Sequence, residues 1–258
     1  MEILFPFNES TNRMAFRAKN YFSFEVGKYR VFTADSRFEV YQALQLRGQV
    51  FLKEQNQLDM DDFDVIADHI LIEDTSKNRI IGTYRLVSNI FSDSFYSQTE
   101  FNMESFLKLP GVKVELGRAC IHPDFRNGRS IDLLWRGIST YLRLLNGKYL
   151  FGCSSVFLEQ DNAEAIVQNL VKNHTNNSFE ISAKIPFATK ENILDFKEPK
   201  TPGLLQSYLN AGAQLCGEPY WDKKWNCVDF LTVLDIDCIS EKYKKHYFSK
   251  SLSYVENF

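Results

Sequence analysis

From Glu54 to Asp74 the chain carries Glu54, Asp59, Asp61, Asp62, Asp64, Asp68, Glu73 and Asp74, with no Lys or Arg among them. A run of this kind can form a negative mouth that attracts a cationic amine, although a solvated acidic loop has the same signature. An EF-hand is excluded: two residues after Asp61 the calcium loop needs an oxygen ligand and then Gly, and the chain offers Phe63 and Asp64. A second set lies in Val114-Glu115-Leu116-Gly117-Arg118-Ala119-Cys120-Ile121-His122. In a regular strand Glu115 and Arg118 fall on opposite faces, and a bulge at Gly117 would bring them to one face. A strand that buries both charges must pair them or use them, and Arg85 on the preceding strand is a third candidate. A third set follows, Pro123-Asp124-Phe125-Arg126-Asn127-Gly128-Arg129-Ser130, a basic loop that enters a helix N-terminus and so suits an anion. Arg129, Arg136 and Arg143 then recur every seven residues, close to one helix face. A solvated helix face would show the same row.

The elements that must hold these groups follow from periodicity. Segment 37–55 has apolar residues at helical spacing, and 68–75 with 79–88 read as strands of a hairpin turning at Ser76-Lys77-Asn78. A strand over 112–122 ends at His122-Pro123. Ile131, Leu134, Trp135, Ile138, Tyr141, Leu142 and Leu145 form one apolar stripe of a helix from Ser130 to Leu145. A strand over 149–157, a helix over 161–172 with Asp161 as N-cap, a polar loop over 173–200 and a helix over 203–210 come next. Strands at 214–219 and 226–236 and a basic helix over 239–249 complete the chain. The pattern reads as one α/β domain around a mixed sheet.

Composition narrows the function. The 258 residues are 44% hydrophobic and 24% charged, values of a globular protein with one substantial core. A net charge of −3 excludes nucleic-acid binding by bulk positive charge. Five scattered cysteines without a CxxC pair give no zinc spacing and fit a reduced, cytoplasmic protein with no metal. No window is apolar for the length of a membrane span, and Glu2 argues against a secretory signal. Lys242, Lys244, Lys245 and Lys250 interleave with Tyr243, Tyr247, Phe248 and Leu252, a pattern that can lie on an anionic bilayer at the inner membrane surface or pack on the domain.

The order of these motifs resembles the GNAT acyltransferase superfamily, and within it the ornithine-lipid-type N-acyltransferases and long-chain N-acyl amino acid synthases. The stretches that carry the likeness are LRGQVFLKE (46–54), DMDDFD (59–64), IIGTYRLV (80–87), ELGRACIHPDFRNG (115–128), LLWRGI (133–138), LFGCSSV (150–156) and LLQSYLNAGAQLCGEPYWD (204–222). The core is also similar to acyl-homoserine-lactone synthases. Their acidic motif falls on Asp59, Asp61 and Asp64, their arginines on Arg47, Arg85 and Arg118, their strand Glu on Glu115 and their Phe on Phe51. The chain departs from them in having no Trp at 52–58, and from the acetyltransferase phosphate loop in having Arg129 and Ile131 at its glycine positions.

The resemblance implies a single GNAT-like domain over 1–258, including an N-terminal extension (1–36) and the basic segment 239–258, with a mixed, mostly antiparallel sheet flanked by helices. It implies transfer of a long fatty acyl group from acyl carrier protein or acyl-CoA to an amino-acid-like amine, with no permanently bound cofactor. Glu115, as base, with Arg118 and Arg85 would form the catalytic set, and Arg47, Phe51, Asp59, Asp61 and Asp64 would shape the acceptor site. Cys120, Ile121, Arg126, Asn127, Gly128, Arg129 and Ser130 would meet the acyl donor, and Arg129, Arg136 and Arg143 would dock the acidic carrier protein. Lactone synthesis and a non-catalytic lipid- or carrier-binding module stay open as alternatives.

Overall fold

The computed structural model describes residues 17–54, 56–188 and 200–249. In chain order the strands are β1 (Ser23–Val26), β2 (Tyr29–Thr33), β3 (Asp68–Asp74), β4 (Arg79–Ser88), β5 (Phe101–Asn102), β6 (Val112–Ile121), β7 (Gly147–Phe157), β8 (Thr175–Asn176), β9 (Ser182–Ala183), β10 (Gln214–Asp222) and β11 (Cys227–Asp235). The helices are α1 (Arg37–Arg47), α2 (Phe63–Ile66), α3 (Glu104–Lys108), α4 (Gly128–Leu145), α5 (Ala163–His174), α6 (Gly203–Ala211) and α7 (Glu241–Tyr243). The chain is a mixed α/β protein. Its strand pairs are mostly antiparallel, with β6/β7 and β8/β10 parallel.

Among the described residues the chain forms two compact units, one within 17–85 and 118–141, the other within 86–117 and 142–249. The crossings fall inside β4, β6 and α4, so no Pro/Gly linker marks them in the sequence.

In the first unit β1, β2 and β3 pair antiparallel, with Val26 opposite Tyr29 and Tyr29 opposite Asp74, and β3 neighbours β4. The β1–β2 hairpin was not anticipated from the sequence. Helix α1 starts at Ser36, whose side chain accepts from the Glu39 N–H while Glu39 accepts from the Asp35 N–H and the Ser36 hydroxyl. It packs Ala43 and Leu46 with Phe32, Ala34, Leu71, Ile80 and Cys120. Its last turn widens into a π turn, Gly48–Leu52, which closes at Lys53 in the left-handed region (φ 58°).

In the second unit β6 runs parallel to β7 from Val112/Gly147 to Glu115/Phe151. Strand β7 pairs along its length with β11, placing Asp229 opposite Ser155. Strand β10 pairs antiparallel with β11, its register broken between Cys216 and Tyr220. The core joins Val156, Ile166, Val167, Leu170, Leu205, Leu215, Val228 and Phe230. Gly152 is obligatory: a Cβ there would sit 2.1 Å from the Leu116 carbonyl oxygen. The 173–200 stretch contains the short strands β8 and β9 rather than loop alone. The terminal helix is one α turn, α7, running into a π turn over Lys244–Phe248. Residues 1–16 of the expected N-terminal extension, and Lys250 and Leu252 of the basic segment, lie outside the described residues.

Candidate functional site

In the first unit the acidic run does not stay in solvent. Arg47 is fully buried at the end of α1 and binds two aspartates: Nε donates to Asp59 Oδ2 at 2.7 Å, and Nη1 and Nη2 donate to the two Asp64 oxygens at 2.6 and 3.0 Å. Arg85 on β4 reaches Asp61 Oδ1 at 2.5 Å and Asp64 Oδ1 at 3.3 Å. Arg118 on β6 donates to Asp61 Oδ2 at 3.0 Å and lies 3.6 Å from Asp59. The three guanidinium groups and three carboxylates form a charge-balanced network. Such networks are costly to break, because removing one partner strands the others away from water.

Local structure sets this register. The Gly48 Cβ position lies 1.7 Å from the Gln57 carbonyl oxygen, so the acidic loop passes directly over the π turn, and the Asp59 N–H donates to Leu44 O at 3.3 Å. Asp61 caps the Phe63 N–H at 2.9 Å, and Asp64 accepts from the Asp61 N–H at 2.8 Å, which closes the loop onto α2. Burial opposes ionisation of Asp64, but hydrogen bonds and charge from Arg47, then Arg85, hold its carboxyl well below the usual range. Asp61 shifts the same way for the same reasons, with burial opposed by Arg85. Burial, partly offset by Asp64, lowers His69 to about 4 and keeps its ring neutral. Asp61 and Arg118, with side chains 24% and 18% exposed, form the open edge of the network.

Phe51 packs on the cluster that holds Cys120. The Cys120 thiol is buried, and burial pushes its pKa up to about 12, which leaves it a poor nucleophile. The left-handed residue in β6 is Arg118 (φ 54°) rather than Gly117, so the expected irregularity sits one residue later. The 123–130 loop also differs from an empty anion seat. Asn127 Oδ1 accepts from the Arg129 and Ser130 N–H groups at 3.0 and 3.2 Å, the Ser130 hydroxyl donates to Phe125 O, and Arg126 Nε donates to Ile121 O at 3.1 Å. The Gly128 Cβ position meets open space. Arg129 lies over the Tyr29 ring at 5.1 Å, Arg136 pairs with Asp132 at 2.8 Å, and Arg143 is partly buried.

In the second unit Glu115 is buried, and each of its oxygens accepts a backbone N–H, from Tyr96 at 2.9 Å and from Ser97 at 2.6 Å. It thereby anchors the 3₁₀ turn Tyr96–Thr99. The sequence reading missed a further set of acids, because Glu100, Asp222 and Asp229 are isolated in the chain. All three are buried. Asp229 accepts from the Ser155 hydroxyl at 2.5 Å and takes the Cys227 thiol at 3.6 Å. Asp222 accepts from the Lys224 and Trp225 N–H groups in the β10–β11 turn, at 2.8 and 3.1 Å. Asp222, Cys227 and Asp229 lie within 4.8 Å of one another, but burial raises the Cys227 pKa and keeps it a thiol that donates to Asp229. The trio is thus held by its own hydrogen bonds. The one signal in the sequence was a charged Asp229 near the start of the largely apolar strand Cys227–Asp235.

Residues 36–136 match the acetyltransferase (GNAT) domain family. An L-ornithine N(alpha)-acyltransferase of Brucella abortus (strain 2308) is 29% identical over 260 residues, covering 89% of this chain and 92% of that protein. A protein of the same name from Rhizobium meliloti (strain 1021) is 29% identical over 243 residues, covering 83% of this chain and 82% of its own length. Among solved structures, the AHL synthase LasI superposes with a TM-score of 0.52 at 13% identity, over 89% of this chain and 98% of that one. FeeM, an N-acyl amino acid synthase from uncultured soil microbes, gives 0.52 at 10% identity, over 86% of this chain and 97% of its own. Those two likenesses speak for the fold. Residues 36–136 are thus similar to GNAT acetyltransferase domains, and that match together with the relatives' names supports an acyltransferase.

Proposed function

We propose that the protein transfers a long fatty acyl group from a thioester donor to the amine of an amino acid or amino-acid-like acceptor. The observation that carries this reading is the match along nearly the whole chain to L-ornithine N(alpha)-acyltransferases, 89% of it for the Brucella protein. The geometry supports it in two ways. Arg118 offers a partly exposed guanidinium, suited to an acceptor carboxylate, at the edge of a network that Arg47 and Arg85 hold rigid. Cys120, the β6 thiol, is too weakly acidic to carry the acyl group, which favours direct attack of the amine on the thioester.

The donor we favour is acyl carrier protein. The helix N–H groups that would meet a free pyrophosphate are capped by Asn127, while α4 presents Arg129, Arg136 and Arg143 to an acidic partner. The protein works in the cytoplasm in this reading. Contact with a bilayer through the 239–258 segment is secondary, since Tyr243 bonds Ser207 at 3.0 Å and faces its own unit. No helix among the described residues is long and apolar enough to cross a membrane.

The test is incubation of the purified protein with a long-chain acyl group on acyl carrier protein, or on CoA, and a panel of amino acids, read by mass spectrometry. An N-acyl amino acid supports the proposal, with ornithine the first acceptor to try. A lactone, or donor binding with no product, overturns it.

A further inference from the structure

The acyl-transfer reading leaves one step without a residue. An amine attacks a thioester only when neutral, so a group must take the ammonium proton. Glu115 spends both oxygens on the backbone N–H groups of Tyr96 and Ser97. That same anchor presents another carboxyl. Glu100 closes the Tyr96–Thr99 turn: its N–H donates to Ser97 O at 3.2 Å, and its carbonyl accepts from the Lys184 N–H at 2.8 Å. The residue is 3% exposed, and its Oε2 is buried without a hydrogen-bond partner. A buried, unspent carboxylate oxygen is rare, because it costs the full desolvation penalty of the group.

The surroundings show what it is kept for. The Cys153 side chain on β7 and the Tyr96 side chain at the head of the turn hydrogen-bond the Glu100 carboxyl, which also feels the charges of Asp229 on β11 and Asp222 on β10. Burial first, then the charges of Asp229 and Asp222, raise its pKa to about 8. An acid–base group is most effective when its proton affinity lies near the working pH, and this value is of the order of that of an α-amino group, about 8. Tyr96, Cys153, Ser155 and Tyr220, which interact with these acids, are themselves partly exposed. A buried acidic cluster with one carboxylate oxygen left without a partner suits an ammonium.

We propose that Glu100, with Asp229 beside it, is the proton acceptor for the substrate amine in acyl transfer. This rests on the acyl-transfer reading and adds its base. The ionised Glu100 takes one proton from the ammonium. The amine lone pair then forms the C–N bond, the C–S bond breaks, and the thiolate leaves and takes the second amine proton. The products are the amide, a free thiol and one proton on Glu100, which passes to water. Asp229 is a positioning residue in this scheme, acting through the proton affinity of Glu100.

The experiment compares wild type, Glu100→Gln, Glu100→Asp and Asp229→Asn as full-length chains, with saturating acyl carrier protein donor and the best acceptor of the panel. N-acyl product is measured from about pH 6 to pH 10, and circular dichroism verifies folding. In wild type, kcat rises with pH on a limb near Glu100's value. Glu100→Gln lowers kcat by about 10²–10⁴-fold and loses that limb. Glu100→Asp recovers part of the rate. Asp229→Asn moves the limb to lower pH while KM changes little. A folded Glu100→Gln with wild-type kcat and pH profile overturns the assignment and leaves acyl transfer standing. A wild type that makes no N-acyl product from any amine overturns acyl transfer itself, and the assignment with it.

Discussion

Two buried acidic sets, one in each unit, were given opposite electrostatics. Around Arg47 the carboxylates are matched by guanidinium groups, so Asp64 stays ionised although it is almost wholly buried. Around Glu100 acid faces acid, and the carboxyl holds its proton to about pH 8. Burial penalises the charged form in both places. The partner decides the outcome. The first arrangement suits a frame whose charge state never changes over working pH. The second suits a group that must change it.

The largest expected effect follows from removing the frame's central cation. Arg47→Met leaves Asp59 and Asp64 buried without their main partner and should cost about 3–5 kcal/mol in urea denaturation. The same experiment on Glu100→Gln should show little loss at neutral pH, since Gln resembles the protonated acid. Equal losses would erase the contrast. Gly48→Ala is next. Its methyl would collide with the Gln57 carbonyl, so the acidic loop must lift, at about 1–3 kcal/mol by analogy with overpacked cores. Asp59 and Asp64 would leave Arg47, so the damage should appear as earlier acid unfolding as well as a lower urea midpoint.

The pH dependence of stability should separate the two sets by sign. The depressed Asp64 pKa means that its stabilisation is present above the unfolded value, about 3.9, and is lost as pH falls through the folded one. His69, lowered to about 4, adds to this: between its unfolded value, about 6.5, and its folded one the unfolded chain binds the extra proton. Glu100 acts in reverse. Its raised pKa makes the native state bind more protons between the ordinary carboxyl value and about 8, so stability declines as pH rises through that window. Denaturation of Glu100→Gln at pH 6 and pH 8 should therefore show a smaller decline than wild type. An unchanged slope would mean that Glu100 titrates normally.

Much of the frame was legible in the sequence. Helix α4, the hairpin of β3 and β4, and β6 announce themselves by periodicity, and the motif likeness singled out Arg47, Asp59, Asp61, Asp64, Arg85 and Arg118, which the structure joins in one ion-pair network. What escaped was non-local. Glu100, Asp222 and Asp229 come from a turn and two strands more than a hundred residues apart at their extremes, and no spacing rule joins them. The β1–β2 hairpin was missed although Phe22-Ser23-Phe24-Glu25-Val26 alternates and Gly27-Lys28 supplies the turn, because each strand is only four or five residues long. The anchoring of Glu115 escaped for a related reason, since the two N–H groups it accepts belong to a turn the sequence did not reveal.

The smallest stability effect, and the one that shows what surface charge does here, concerns α4. Arg136 pairs with Asp132 one turn away, and both side chains are about 30% exposed. Such a pair is worth about 0.3–0.5 kcal/mol, so Arg136→Glu should barely move the denaturation midpoint. Arg129 is held over the Tyr29 ring, and its reversal should cost somewhat more. Neither charge touches the acids of either buried set in the contacts described above. If the α4 row docks acyl carrier protein, both reversals should lower kcat/KM for the protein-bound donor at low salt, and added salt should shrink the difference by screening the attraction. Turnover with the same acyl group on CoA should change less, because only the carrier protein has an acidic surface to meet the row. Equal losses with both donors would place the arginines at the thioester end of the donor, and unchanged kinetics with the carrier protein would remove the docking role.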